Sequence, residues 1–367
     1  MTATLRHQVG ELIIAGLEGP ELTATESAWL KLIRPGGVIL FRRNIEETGQ
    51  TMQLLREATK IVNASIFRCV DLEGGLVDRL RDLIAPMPSP GTVYATGRPS
   101  LFKKHGRLIG REARHLGFNT VFAPVLDLAL PASSDVMRSR AVSADPEQVT
   151  TYASAFLAGL TAEGILGCGK HFPGLGGGNL DSHHAMPVIH RSWGEMWEQD
   201  IVPFRALSAQ LPMIMVAHAA YPKASKAKSP ASVSSFWITS VLRRKLRYSG
   251  LIISDDMEMG GILTQRSMEE AAVEAVVAGT DILEICKDPA LILRAYEALL
   301  SEAERSRSFR SQVQQTAQRI VRHKKRRLQV SITQQISPEI LNRLKVQTQN
   351  FAQELVGTGL RYRNLKS

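Results

Sequence analysis

The chain has 367 residues, of which 44% are hydrophobic, 22% charged and 6% aromatic. That balance excludes disordered, collagen-like and fibrous chains, and the lack of a long apolar run excludes a membrane-spanning helix. The net charge of +10 would suggest a nucleic-acid partner if it were spread along the chain. It is not. Residues from 301 onward carry 14 of the 45 Lys and Arg but only 4 of the 35 Asp and Glu, which leaves 31 of each before them. The excess centres on Arg322, His323, Lys324, Lys325, Arg326 and Arg327. These continue a helical pattern through Val313, Ala317, Ile320 and Val321. A solvated last turn favoured by the helix dipole accounts for them. A patch for an anionic partner or a membrane surface is the alternative. No aromatic residues interleave there, so no nucleic-acid partner is expected.

The N-terminus does not read as a signal peptide: its apolar patch is only a few residues long and lacks a small-residue cleavage site. Eight apolar, β-rich runs follow, at 12–16, 37–41, 67–71, 120–128, 165–171, 213–218, 251–255 and 281–285. Helix-length amphipathic stretches separate most of them, among them 46–62, 99–115, 146–163, 193–207, 236–246 and 267–278. A long Pro-rich loop spans 80–97. Strands apolar throughout and alternating with helices predict a parallel sheet covered on both faces. Eight such units predict an α/β fold closed once, a (β/α)8 TIM-type barrel over 1–330. No linker splits it. A helical or irregular basic tail over 331–367 follows, with a helix cap at Ser337 and Pro338 at the first helical position. Cys69, Cys168 and Cys286 lie in or beside apolar runs without metal-type spacing, so buried reduced thiols in a cytoplasmic protein are expected.

The apolar runs end in ionisable residues: Asp71, Asp127, Lys170 with His171, His218, and Asp255 with Asp256. In this fold the active site sits at the C-terminal ends of the strands, so their recurrence at one end predicts an enzyme; a buried ion-pair layer is the other reading. Asp255 is placed to act as a nucleophile toward an electrophilic carbon. Asp71 is a similar strand-end carboxylate, and Gly74 and Gly75 after it allow a sharp turn. Fixed carboxylates suit polyol recognition, since each accepts several hydrogen bonds. The glycines of 174–178 match neither a dinucleotide fingerprint nor a P-loop. His171, His183, His184 and His218 form no HxH or HExxH pair, so neither a metal nor another cofactor is expected. Asp181 two residues before His183 suggests a carboxylate orienting an imidazole that donates and accepts protons.

At this point the residues resemble the β-N-acetylhexosaminidases of glycoside hydrolase family 3, the cytoplasmic glucosaminidases of peptidoglycan recycling. The match runs in order through GGVILFRRNI (36–45), VDLEGGLVDRL (70–80), FAPVLDL (122–128), KHFPG…DSHHAMP (170–187), MIMVAHAAYP (213–222), LIISDDMEMGGI (251–262) and AGTDILEI (278–285). The resemblance implies a small GlcNAc-containing glycoside as the substrate and a retaining double displacement. It implies Asp255 as nucleophile and His183 as acid/base with Asp181 as its partner. Asp71, Arg79, Arg140, Lys170 and His171 would hold the terminal GlcNAc. Leu175 and Gly177 stand where the family loop has His and Asp, Leu76 where it has Arg, and Val142 where it has Phe. A family 3 β-glucosidase, a phosphorylase and a weakly catalytic sugar-binding barrel remain as alternatives. Oligomeric state leaves no mark in the sequence.

Overall fold

The computed structural model describes residues 4–178, 186–328, 332 and 335–356. Eight strands close into one parallel barrel: β1 Ile13–Gly16, β2 Gly37–Leu40, β3 Phe67–Val70, β4 Thr120–Val121, β5 Leu166–Phe172, β6 Met213–Val216, β7 Leu251–Asp256 and β8 Ile282–Ile285. Each pairs with the next in sequence, and Ile13 opposite Leu283 closes β8 onto β1. β-Branched and other apolar residues on both faces of these strands explain the arrangement: each face is covered, one by barrel interior and one by helices. The three cysteines are free and buried.

The expected strand over 120–128 is the main misfit. Its barrel ladder ends at Val121, because Pro124 has no N–H to contribute. Only an isolated bridge from Val125 to Lys170 continues the line. A short antiparallel hairpin, Leu72–Gly74 with Val77–Asp78, follows β3. Its turn uses Gly74 at φ 91° and Gly75 at φ 63°, a backbone region that side chains resist. At Gly74 a Cβ would also lie 2.2 Å from the Pro88 carbonyl oxygen.

Helix boundaries follow local chemistry. Pro99–His115 starts on proline and ends on Arg114 and His115. Met268–Ala278 starts at a Ser267–Glu270 capping box and stops at left-handed Gly279. The expected single helix over 193–207 is instead three pieces: Trp193–Glu195, a wide π turn Met196–Asp200, and Val202–Leu207. Pro203 inside that stretch cannot donate to the preceding turn.

Two C-terminal helices bear on the barrel. Arg307–Arg327 buries Phe309, Val313, Ala317 and Ile320. Lys324 continues that stripe at helical spacing, so it is buried rather than solvated as expected from the run of charges. Its Nζ lies 2.6 Å from Glu11 Oε2 and 5.2 Å from the Phe67 ring centroid. Pro338–Val356 starts where Ser337 Oγ accepts from the Ile340 N–H at 3.3 Å. Leu344, Phe351 and Leu355 of this helix join the barrel's own apolar core. Thr348 donates to the buried Glu112 at 2.5 Å, and Phe351 stacks on His105 with 5.8 Å between ring centroids.

Candidate active site

The first half of the mouth is built by β3, its hairpin, β5 and the loop at 138–140. Lys170, at the end of β5, reaches Asp71 Oδ1 at 2.8 Å and Glu73 Oε1 at 2.7 Å. Arg140 grips Glu73 with both arms of its guanidinium, each at 2.8 Å, a bidentate geometry that fixes orientation as well as charge. Arg79 approaches Asp71 Oδ2 at 3.8 Å. The hairpin turn is what brings Glu73 into this cluster, where it is 1% exposed. Burial disfavours its charge, but Arg140 and Lys170 outweigh that and hold the Glu73 carboxyl well below the usual range. Asp71 is likewise lowered by Lys170 and Arg79 against the cost of burial. Lys170 and Arg140 are in turn raised by these carboxylates despite desolvation. The cluster is therefore ionised throughout and rigid.

His171 stands beside it. Its Nδ1 donates to Asp127 Oδ2 at 2.7 Å, which leaves Nε2 as the ring's other hydrogen-bonding atom. Asp127 also accepts from the Leu175 N–H at 2.7 Å, and Tyr221 donates to the Gly174 carbonyl at 3.0 Å. The root of the glycine loop is thus pinned. Asp181 and His183, together with His184, lie outside the described residues.

The second half is built by β6, β7 and β8. Asp255 ends β7 half-buried, and its Oδ1 accepts from the Asp256 N–H at 3.0 Å. Among the described residues no Lys or Arg pairs with it. Asp256 Oδ1 accepts from the Glu258 and Cys286 N–H groups at 3.0 and 3.3 Å. Burial, with the Glu258 and Asp255 carboxylates nearby, pushes Asp256 up to about 7. Glu284 lies beneath at 3% exposure, accepts from Cys286 Sγ at 3.1 Å, and is pushed far up by burial and by Asp71, Asp256 and Asp255. His218 is fully buried between Ser232 Oγ at 2.7 Å and the Asp256 carbonyl at 3.0 Å. Burial lowers its pKa, so it is a neutral ring bracing the turn after β7. Among the described residues no three His, Cys, Asp or Glu are grouped to hold a metal ion.

The structure brings Asp71, Arg79, Arg140, Lys170, His171 and Asp255 to one end of the barrel. Sequence reasoning missed Glu73 as the hub and Glu284 as the floor. Glu73 carried a weak signal, two residues after a strand-end Asp. Glu284 carried a stronger one, an acid in the middle of the apolar strand run ILEI.

Known proteins share this architecture. The family model described as glycosyl hydrolase family 3 N terminal domain matches residues 4–323. A β-hexosaminidase of Idiomarina loihiensis is 36% identical over 296 residues, covering 80% of this chain and 88% of the relative. One of Thioalkalivibrio sulfidiphilus is 37% identical over 300 residues, covering 80% and 85%. The solved family 3 β-N-acetylglucosaminidase from Paenibacillus sp. FPU-7 superposes with a TM-score of 0.86 at 29% identity, over 95% of this chain and 69% of that one. NagZ from Neisseria gonorrhoeae, solved with N-trifluoroacetyl-D-glucosamine, gives 0.71 at 29% identity over 84% and 98%.

Proposed function

The chain belongs to glycosyl hydrolase family 3, and from that premise we propose that it is a β-N-acetylhexosaminidase releasing terminal, non-reducing β-linked N-acetylglucosamine. One observation carries the reading most: a charge-paired cluster of donors and acceptors faces, across the mouth, a half-buried carboxylate with no described cationic partner, Asp255. The paired side suits a neutral polyol, which needs fixed hydrogen-bonding groups rather than net charge. Arg79, Arg140, Lys170, Asp71 and the free edge of His171 would hold the sugar.

In the proposed mechanism an Asp255 oxygen attacks the anomeric carbon while the glycosidic C–O bond breaks. His183, oriented by Asp181, gives its proton to the leaving oxygen, and a glycosyl–Asp255 ester forms. His183 then takes a proton from water, whose oxygen attacks the same carbon and frees Asp255. The part assigned to His183 and Asp181 rests on the DSH sequence at 181–183 alone. The same reading takes the natural substrates to be GlcNAc-bearing peptidoglycan fragments in a reducing cytoplasm. Three buried, unpaired cysteines support that compartment.

The test is turnover of an aryl β-GlcNAc against the matching β-glucoside, with and without phosphate, using Asp255→Ala as the blank. GlcNAc-selective turnover that vanishes in the variant and ignores phosphate is expected. Phosphate-dependent release of sugar 1-phosphate would make it a phosphorylase. A preference for the glucoside, or no turnover above the blank in folded protein, would overturn the assignment.

A further inference from the structure

The barrel's opposite end holds a second polar cavity. It has a volume of about 480 Å³ and lies where the chain enters β6 and β7, between 208–212, 248–250 and the last turns of the helix Arg307–Arg327. Five arginines line it: Arg243, Arg319, Arg322, Arg326 and Arg327. Among the described residues these arginines pair with one carboxylate, Asp281, which Arg243 and Arg319 both engage. Arg322, Arg326 and Arg327 are exposed and, among the described residues, have no acidic partner. His323 adds a buried Nε2 with no hydrogen-bond partner among the described residues. Burial and neighbouring Arg327 push that imidazole down to about 4, so it is neutral at ordinary pH.

Concave arginine clusters of this size suit phosphate-type groups. Guanidinium forks match two oxygens at once, and the volume lies in the usual range for small-molecule sites. The helix C-terminus opposes an anion, but with only about half a charge. Five guanidinium groups against one carboxylate outweigh it several-fold. The run 322–327 is also where the chain concentrates its basic excess, which the sugar site does not use.

We propose that this cavity is a binding site for a small polyanion carrying two or more phosphate-type groups, separate from the sugar site and held chiefly by Arg322, Arg326 and Arg327. Calorimetric titration of the full chain with inorganic pyrophosphate at low salt tests it. One saturable site is expected, weakening steeply as salt is raised. Arg326→Ala and Arg327→Ala should each weaken it about tenfold, while aryl β-GlcNAc turnover stays at the parent level. Saturating GlcNAc should leave the pyrophosphate affinity unchanged. Three outcomes would overturn the proposal: no saturable binding up to about 1 mM, affinity indifferent to both substitutions, or competition by GlcNAc, which would place the anion in the sugar site.

Discussion

On the β3–β5 side of the mouth Asp71 and Glu73 each meet Lys or Arg side chains, whereas on the β7–β8 side Asp255, Asp256 and Glu284 crowd together with none among the described residues. The two halves have similar burial and the same kind of acid. Their chemistry differs because Lys170 and Arg140 point to one side only. Asp71 and Glu73, paired with cations, are pulled down and stay charged, whereas Asp256 and Glu284 are pushed up toward holding protons. A substrate thus meets a rigid ionic frame on one flank and, on the other, a carboxylate that no cation neutralises. The first flank is suited to positioning and the second to reaction.

The comparison is sharpened most by exchanging the cost of mutation between flanks. Asp255→Asn should lower kcat for the aryl β-GlcNAc by ~10⁴-fold or more, the scale of losing a nucleophile. Its unfolding midpoint should hold, since no ion pair is lost. A 5-fluoro-glycosyl inactivator should label Asp255 in the parent; label on Asp256 instead would reverse their roles. Glu73→Gln should do the opposite. It leaves Arg140 and Lys170 short of a buried partner, at a cost of about 3–5 kcal/mol in denaturant unfolding, and it should raise KM more than it lowers kcat. A loss below ~1 kcal/mol would mean that the fork is worth no more than a surface pair.

How much of this is legible in the sequence depends on the range of the interaction. The eight strands are legible because each is a local apolar run, and the strand-end acids because they interrupt those runs. The 120–128 strand misled because apolar character continues past Pro124, whose missing N–H ends the ladder. Lys324 reads as solvated among five charged or polar neighbours, yet its spacing from Val313, Ala317 and Ile320 was the better guide. The Glu73 cluster joins positions 73, 140 and 170. No local pattern could pair them, since only the barrel brings them together.

The smallest of the effects concerns pH and isolates the unpaired flank. Asp256 has a folded pKa of about 7 against an ordinary aspartate value of 3.8. The folded state therefore binds a proton there that the unfolded chain has already lost between about pH 4 and pH 7. Stability contributed by that proton is present at low pH and is lost as pH rises toward 7, leaving a charged, crowded carboxylate above it. The loss is at most about 4 kcal/mol, and solvent reaching this half-buried carboxyl reduces it. Asp256→Asn should flatten this segment of the stability–pH curve and raise stability at pH 8 relative to the parent. Glu73 contributes with the opposite sign, because its depressed pKa removes stability only as pH falls below the ordinary glutamate range. Denaturant midpoints measured from pH 4 to 8 for parent and Asp256→Asn separate the two. A parent slope unchanged by the substitution would mean that Asp256 is already ionised in the folded protein. The two flanks would then be electrostatically alike.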